Sequence, residues 1–135
     1  PDYGPEEPHP TAGAVCVGAR PFLVAYNVWL DPSTPPDVVR KISDRVRGDG
    51  IRSLALVDTD FAQVSMNLID CGRVGPADAY DRVSEKANEY GAIVQRAELV
   101  GLIPRAVLKR IEPARWMELD LSDERTIEAR LALRR

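Results

Sequence analysis

"IRSLALVDTDFAQVSMNLID", residues 51–70, decides the fold. Its two short β-rich runs, IRSLALVD and FAQVSMNLID, lie close enough to read as a β-hairpin turning around Asp58 to Asp60. The second run alternates, with Ala62, Val64, Met66 and Leu68 in one phase and Gln63, Ser65 and Asn67 in the other. Successive side chains of a strand point to opposite faces, so one face of this strand is apolar and the other carries amides and a hydroxyl.

On either side of the hairpin the period changes. Upstream, STPPDVVRKISDRVRGDG predicts an amphipathic helix with Ser33 or Thr34 as cap, Pro35 near the first position, Asp37 in the first turn and Gly48 and Gly50 as stops. Val38, Ile42 and Val46 recur every four residues, with Val39 beside them. Downstream, GPADAYDRVSEKANEYG predicts a second helix from Pro76 to Gly91, with Tyr80, Val83, Ala87 and Tyr90 on one face. Beyond the helices, residues 14–30 turn extended. Phe22, Val24, Tyr26, Val28 and Leu30 share one phase, and Leu23, Ala25, Asn27 and Trp29 the other. AIVQRAELV reads as a fourth strand, followed by a short helix from Arg105 to Ile111 and a serine-capped last helix from Ser122 to Leu133.

The order is β-α-β-β-α-β plus C-terminal helices, an α+β fold of the ferredoxin-like kind with a four-stranded antiparallel sheet. Both long helices cover one face of that sheet, and the other must meet water, a partner or a ligand. The bare face is expected to carry Ala25, Asn27, Gln63, Ser65 and Asn67, since the opposite phases are more uniformly apolar. Amides donate and accept hydrogen bonds, which suits a polar ligand; equally, they could pair with one another across strands.

With 135 residues the chain fits one domain, and a net charge of -3 argues against a nucleic-acid backbone as partner. Aromatics at 6% are too few for an RNA-recognition sheet. Cys16 and Cys71 lack metal or redox spacing and read as reduced thiols of a cytoplasmic protein, and no metal site is expected. No apolar run approaches the roughly 18 residues of a membrane helix, and no leader opens the chain. The first residue is Pro1, which suggests a piece of something longer. Residues 1–13, with four prolines among them, read as a stiff connector, and 14–135 as the folded unit.

PDYGP, HPTAGAVCVGARPFLVAYNVWL, AQVSMNLID and AELVGLIPRAVL, in this order, together resemble the C-terminal half of the formiminotransferase domain of glutamate formimidoyltransferases. The resemblance implies a folate-dependent transferase of histidine degradation and one-carbon metabolism. Its reaction moves a formimino group from N-formimino-L-glutamate to N5 of tetrahydrofolate. It also implies two similar α/β halves that face each other across folate, this chain being one wall and the N-terminal half its partner.

Position by position, the family's folate-binding stretch falls on Gly4, Pro5, Glu6, Glu7, Pro8, His9, Pro10, Thr11, Ala12 and Gly13. Prolines reduce the entropy lost on ordering, and glycines let the backbone approach a flat pterin; a plain linker would have the same composition. Glu6 and Glu7 depart from what an anionic cofactor favours. Arg20 is the candidate grip for a carboxylate of folate or glutamate, the alternative being a solvated strand-end arginine. Asn27, Gln63 and Asn67 complete the expected cofactor surface. His9, the sole histidine, matches the loop pattern and not the family's catalytic histidine, which belongs to the other half. No catalytic residue is therefore expected on this chain, which alone would be inactive. Trp29 and Cys71 match no functional position and are assigned to packing. The competing reading is a non-catalytic ferredoxin-like module for small-molecule binding or homodimerisation.

Overall fold

Period-two alternation and two amphipathic helices produce a sheet roofed on one side. The computed structural model describes residues 2–133, so Pro1, Arg134 and Arg135, at the outer ends of the expected connector and folded unit, lie outside the described residues. Strands β1 (Val24–Leu30), β2 (Ile51–Asp58), β3 (Phe61–Leu68) and β4 (Val94–Val100) form one antiparallel sheet in the order β2-β3-β1-β4. Helices α1 (Pro36–Val46) and α2 (Pro76–Glu89) connect β1 to β2 and β3 to β4, which is the ferredoxin-like arrangement.

The core lies between sheet and helices. Val24, Tyr26, Val28 and Leu30 of β1 and Ala62, Val64, Met66 and Leu68 of β3 are buried, and they meet Val39, Ile42 and Val46 of α1 and Ala79, Val83 and Ala87 of α2. Val38 packs only at the margin of this core. The hairpin closes through Thr59 and Asp60, with the Thr59 amide donating to Asp58 Oδ1 at 2.8 Å.

Several boundaries differ from the sequence expectation. β1 begins at Val24, not near residue 14, and positions 2–22 are exposed throughout, Phe22 included. Pro21 has no amide to contribute to a ladder, and no strand lies beside this stretch among the described residues. α1 begins at Pro36 with Pro35 as its N-cap and no side-chain cap, because Ser33 is engaged elsewhere: its amide and hydroxyl both donate to Asp31 Oδ1, at 2.9 and 2.6 Å. α2 starts as expected after Gly75, whose amide donates to Asp78 Oδ2 at 2.9 Å.

The tail departs most. Helix α3 spans only Arg105–Leu108, and the expected helix from Ser122 is a 3-10 turn (Asp123–Arg125) followed by α4 (Ile127–Ala132). Thr126, fully buried, is the cap of α4, accepting the Ala129 amide at 3.1 Å. Its extended backbone bridges Ile103: the Ile103 amide donates to Arg125 O at 3.0 Å and the Ile127 amide to Ile103 O at 3.0 Å. Tertiary pairing thus overrides the serine cap signal.

Two interactions fasten this tail to the sheet. Tyr26 Oη donates to Leu119 O at 2.9 Å inside the core, and burial raises the phenol pKa far above its usual range. At the outer edge of β4, the Leu99 amide donates to Asp120 Oδ2 at 2.9 Å. Arg125 donates to Leu99 O and pairs with Asp120 at 2.7 Å. Asp120 holds a left-handed backbone, φ 56°, which places its carboxylate there.

Tyr26→Phe is expected to cost about 1–2 kcal/mol in urea unfolding, because it orphans a buried carbonyl. Asp120→Gly, which keeps the left-handed turn, should speed hydrogen exchange of the Leu99 amide by roughly tenfold while leaving β4 amides bonded to β1 unchanged. Equal acceleration along all of β4 would mean that the brace holds the whole strand and not its edge.

Candidate functional site

The uncovered face is a lattice fixed by strand register. One row across it reads Leu56, Gln63, Trp29, Arg96; the next Leu54, Ser65, Asn27, Glu98; the third Arg52, Asn67, Ala25, Val100. Asn27, Gln63 and Asn67 therefore share one face, as the alternation requires. Asn67 is exposed, Asn27 and Ser65 are half-buried, and Gln63 is only 8% exposed. Helices α1 and α2 pack against the opposite phase of β3, Ala62 to Leu68. The cross-strand neighbours of Gln63, Leu56 and Trp29, flank it in the row.

The amides do not pair with one another. Asn27 Nδ2 donates to Glu98 Oε2 at 2.9 Å, and the Trp29 indole N–H donates to the same oxygen at 2.8 Å. Gln63 Oε1 is buried with no hydrogen-bond partner among the described residues. The Arg96 guanidinium stacks on the Trp29 ring, 4.0 Å from its centroid, and Phe61 meets the same indole edge-on at 5.9 Å. Trp29, assigned to packing from sequence, is thus the hub of a polar and aromatic cluster on the open face. Glu98, Arg96 and Phe61 were missed as well. Extending the alternation of β4 into phase with Asn27 would have found Arg96 and Glu98, but only once β1 and β4 are known to be neighbours.

Charge is organised within this cluster. Donation from Asn27, then from Trp29, with the nearby charge of Arg96, holds the Glu98 carboxyl below the usual glutamate range, against partial burial and Asp120. Glu98 Oε1 has no partner among the described residues, so one carboxylate oxygen is doubly satisfied and the other is open.

The Pro- and Gly-rich segment makes no hydrogen bond to this face among the described residues. Gly4 to Gly13 and Arg20 are all exposed, and the hydrogen bonds of Gly4–Gly13 among the described residues are local. His9 closes a small loop. Its amide donates to Gly13 O at 3.2 Å, the Gly13 amide donates back to His9 O at 2.8 Å, and Nδ1 accepts from the Ala12 amide at 3.1 Å and the Thr11 amide at 3.3 Å. Gly13 sits at φ 69°, a conformation that glycine adopts without strain. With Nδ1 accepting, the neutral ring carries its proton on Nε2. Cys71 is buried, its thiol pushed up by desolvation, and lies 3.8 Å from Phe22 O. Among the described residues no group of histidine, cysteine and acidic side chains could hold a metal, and no helix is long and apolar enough to cross a membrane.

Because the folded state depresses the Glu98 pKa, the carboxylate's stabilisation is complete above the ordinary glutamate pKa and is lost as pH falls through the depressed value. An acid titration followed at the Trp29 indole N–H by NMR should show a midpoint below that of a free glutamate. Glu98→Gln should abolish the step, and a midpoint at or above the free value would contradict this geometry.

Comparison with known proteins bears on the same elements. A family model described as the formiminotransferase domain matches residues 43–119. The chain is 37% identical over 115 residues to the glutamate formimidoyltransferase of Streptococcus pyogenes serotype M1, covering 80% of this chain and 38% of that protein. It is 38% identical over 135 residues to the glutamate formimidoyltransferase of Thermoplasma acidophilum, covering 94% of this chain and 43% of that protein. With the formimidoyltransferase-cyclodeaminase of Dictyostelium discoideum it shares 33% identity over 115 residues, covering 77% of this chain and 21% of that protein. The chain therefore spans about two fifths of the length of the first two relatives. The matched stretch runs from the second half of α1 through β2, β3, α2 and β4 and takes up more than half of the sequence, and the chain belongs to the formiminotransferase domain family.

Proposed function

We propose that this chain forms one wall of a folate site, the other wall being a second α/β half, the N-terminal subdomain. The reaction at that site is formimino transfer from N-formimino-L-glutamate to N5 of tetrahydrofolate in cytoplasmic histidine degradation. The observation that carries this reading is Gln63, a side-chain oxygen shielded on an unroofed face and left without a partner. An unsatisfied buried acceptor costs about 1–3 kcal/mol, a penalty that a ligand N–H would relieve.

The floor around it suits a flat cofactor. Ala25 and Ser65 are small, Asn27 and Asn67 offer amide edges, and apolar Leu54 and Val100, 58% and 47% exposed, flank the floor on the outer strands. These apolar side chains, set among Arg52, Arg96 and Glu98 on the same outer strands, would give a partner half both surface to bury and groups to bond over a polar ligand. The loop Gly4–Gly13, stiffened by His9, is the second element of the folate surface in this reading, and Arg20 the grip for a carboxylate tail. In this reading the proton transfers of the reaction belong to the other half, and His9, whose Nδ1 accepts from the Ala12 amide, serves to close its own loop.

The same exposed Leu54 and Val100 also favour a second reading, self-association of the open face in a non-catalytic module. Sedimentation separates the two, since that reading requires a dimer at micromolar chain with no folate and no other half present.

Isothermal titration with 5-formyltetrahydrofolate should show weak binding to this chain and tight binding once the N-terminal half of a relative is added; heat from neither mixture would end the proposal. Gln63→Met, close in volume, should raise the stability of the chain by about 1 kcal/mol while weakening folate binding in the two-part mixture by roughly tenfold. A variant that binds folate as the parent does would assign Gln63 to the sheet alone.

A further inference from the structure

We infer that Glu98 and Arg96 together recognise the formimino donor, Glu98 Oε1 accepting from its cationic amidine end and Arg96 facing its carboxylate; this rests on the formiminotransferase reading above. The geometry begins with an asymmetry. Glu98 Oε2 already accepts two hydrogen bonds, from Asn27 and Trp29, which hold the carboxylate in place, while Oε1 has no hydrogen-bond partner among the described residues. Among the described residues no cation forms an ion pair with this carboxylate. The nearest candidate on the same strand face, Arg96, is stacked on the indole instead. A half-buried carboxylate oriented by neutral donors and engaged in no ion pair is a preorganised acceptor for a positive N–H group.

The chemistry of the donor matches. Its formimino group is an amidine, protonated at neutral pH, so it carries a planar cation with N–H bonds in the plane. The same molecule bears carboxylates. Alternate residues of one strand place their side chains about 7 Å apart on a face, so Glu98 and Arg96 present a negative and a positive group at the spacing of a small zwitterion. Arg96 is exposed, and its guanidinium, 4.0 Å above the indole centroid, has N–H donors to offer a carboxylate. Folate does not fill this role as well, because its anionic tail would meet a carboxylate held ionised.

The test uses the isotopically labelled chain and two titrants, formamidinium chloride and N-formimino-L-glutamate, with tetramethylammonium as a cation lacking N–H. The Trp29 indole N–H reports directly, since it donates to Glu98. The Trp116 indole, bonded to Ile111 O at 3.0 Å, is the internal control. Formamidinium should shift Trp29 and not Trp116, tetramethylammonium neither. Arg96→Gln should weaken N-formimino-L-glutamate and not formamidinium. Glu98→Gln should weaken both by roughly tenfold or more while leaving the 5-formyltetrahydrofolate titration unchanged.

A Trp29 signal unmoved by formamidinium, or moved equally by tetramethylammonium, overturns the inference on the parent chain without relying on a variant. Failure of 5-formyltetrahydrofolate to bind in the two-part mixture overturns the reading beneath it, on a separate titration.

Discussion

One constraint organises this chain: a strand offers its side chains to two sides in turn, and here α1 and α2 roof only one side. Both long helices lie over the phase that carries Val24, Tyr26, Val28 and Leu30, where close packing of aliphatic groups supplies the stability. The other phase is freed from packing duty and carries amides, an ion pair's worth of unneutralised charge and an indole. The fold thus separates the residues that hold it together from those available for recognition, although they alternate along the same backbone.

That separation explains what could be read from sequence. The hairpin, the two helices and the topology were legible because Gly and Pro punctuate them and because period two and period four are easily told apart. Asn27, Gln63 and Asn67 were legible as sharing a face, since alternation alone assigns them. The Glu98 cluster was not: Glu98 and Asn27 are 71 residues apart, and their meeting depends on β4 pairing with β1 in one register. Nor was the start of β1, which depends on whether a neighbouring strand exists, nor the true cap of α4, which depends on Thr126 being drawn under Ile103. In each case local propensity was sound and a long-range contact decided otherwise. Nor does the composition of Gly4–Gly13 decide its role, since it serves a stiff linker and a ligand loop alike.

Both margins of the sheet are closed by arginine. Arg47 donates to Ser53 O on β2 and Arg125 to Leu99 O on β4, so each edge strand has a carbonyl capped by a charged donor. Edge strands invite strand addition, and charge on the edge discourages it. Strand addition at these rims is thereby disfavoured, while the open face leaves Leu54 and Val100 exposed.

The tail has a bearing on how this unit is to be dissected. The family match ends at residue 119, whereas the acceptor for Leu99 is Asp120 and the residue bridged to Ile103 is Thr126. Leu119, Leu121 and Thr126 are buried, and Tyr26, on a central strand, is anchored to the first of them. A fragment trimmed to the boundary of sequence similarity would therefore open the bottom of its own core. The smallest autonomous version of this fold must run at least through the first turn of the last helix.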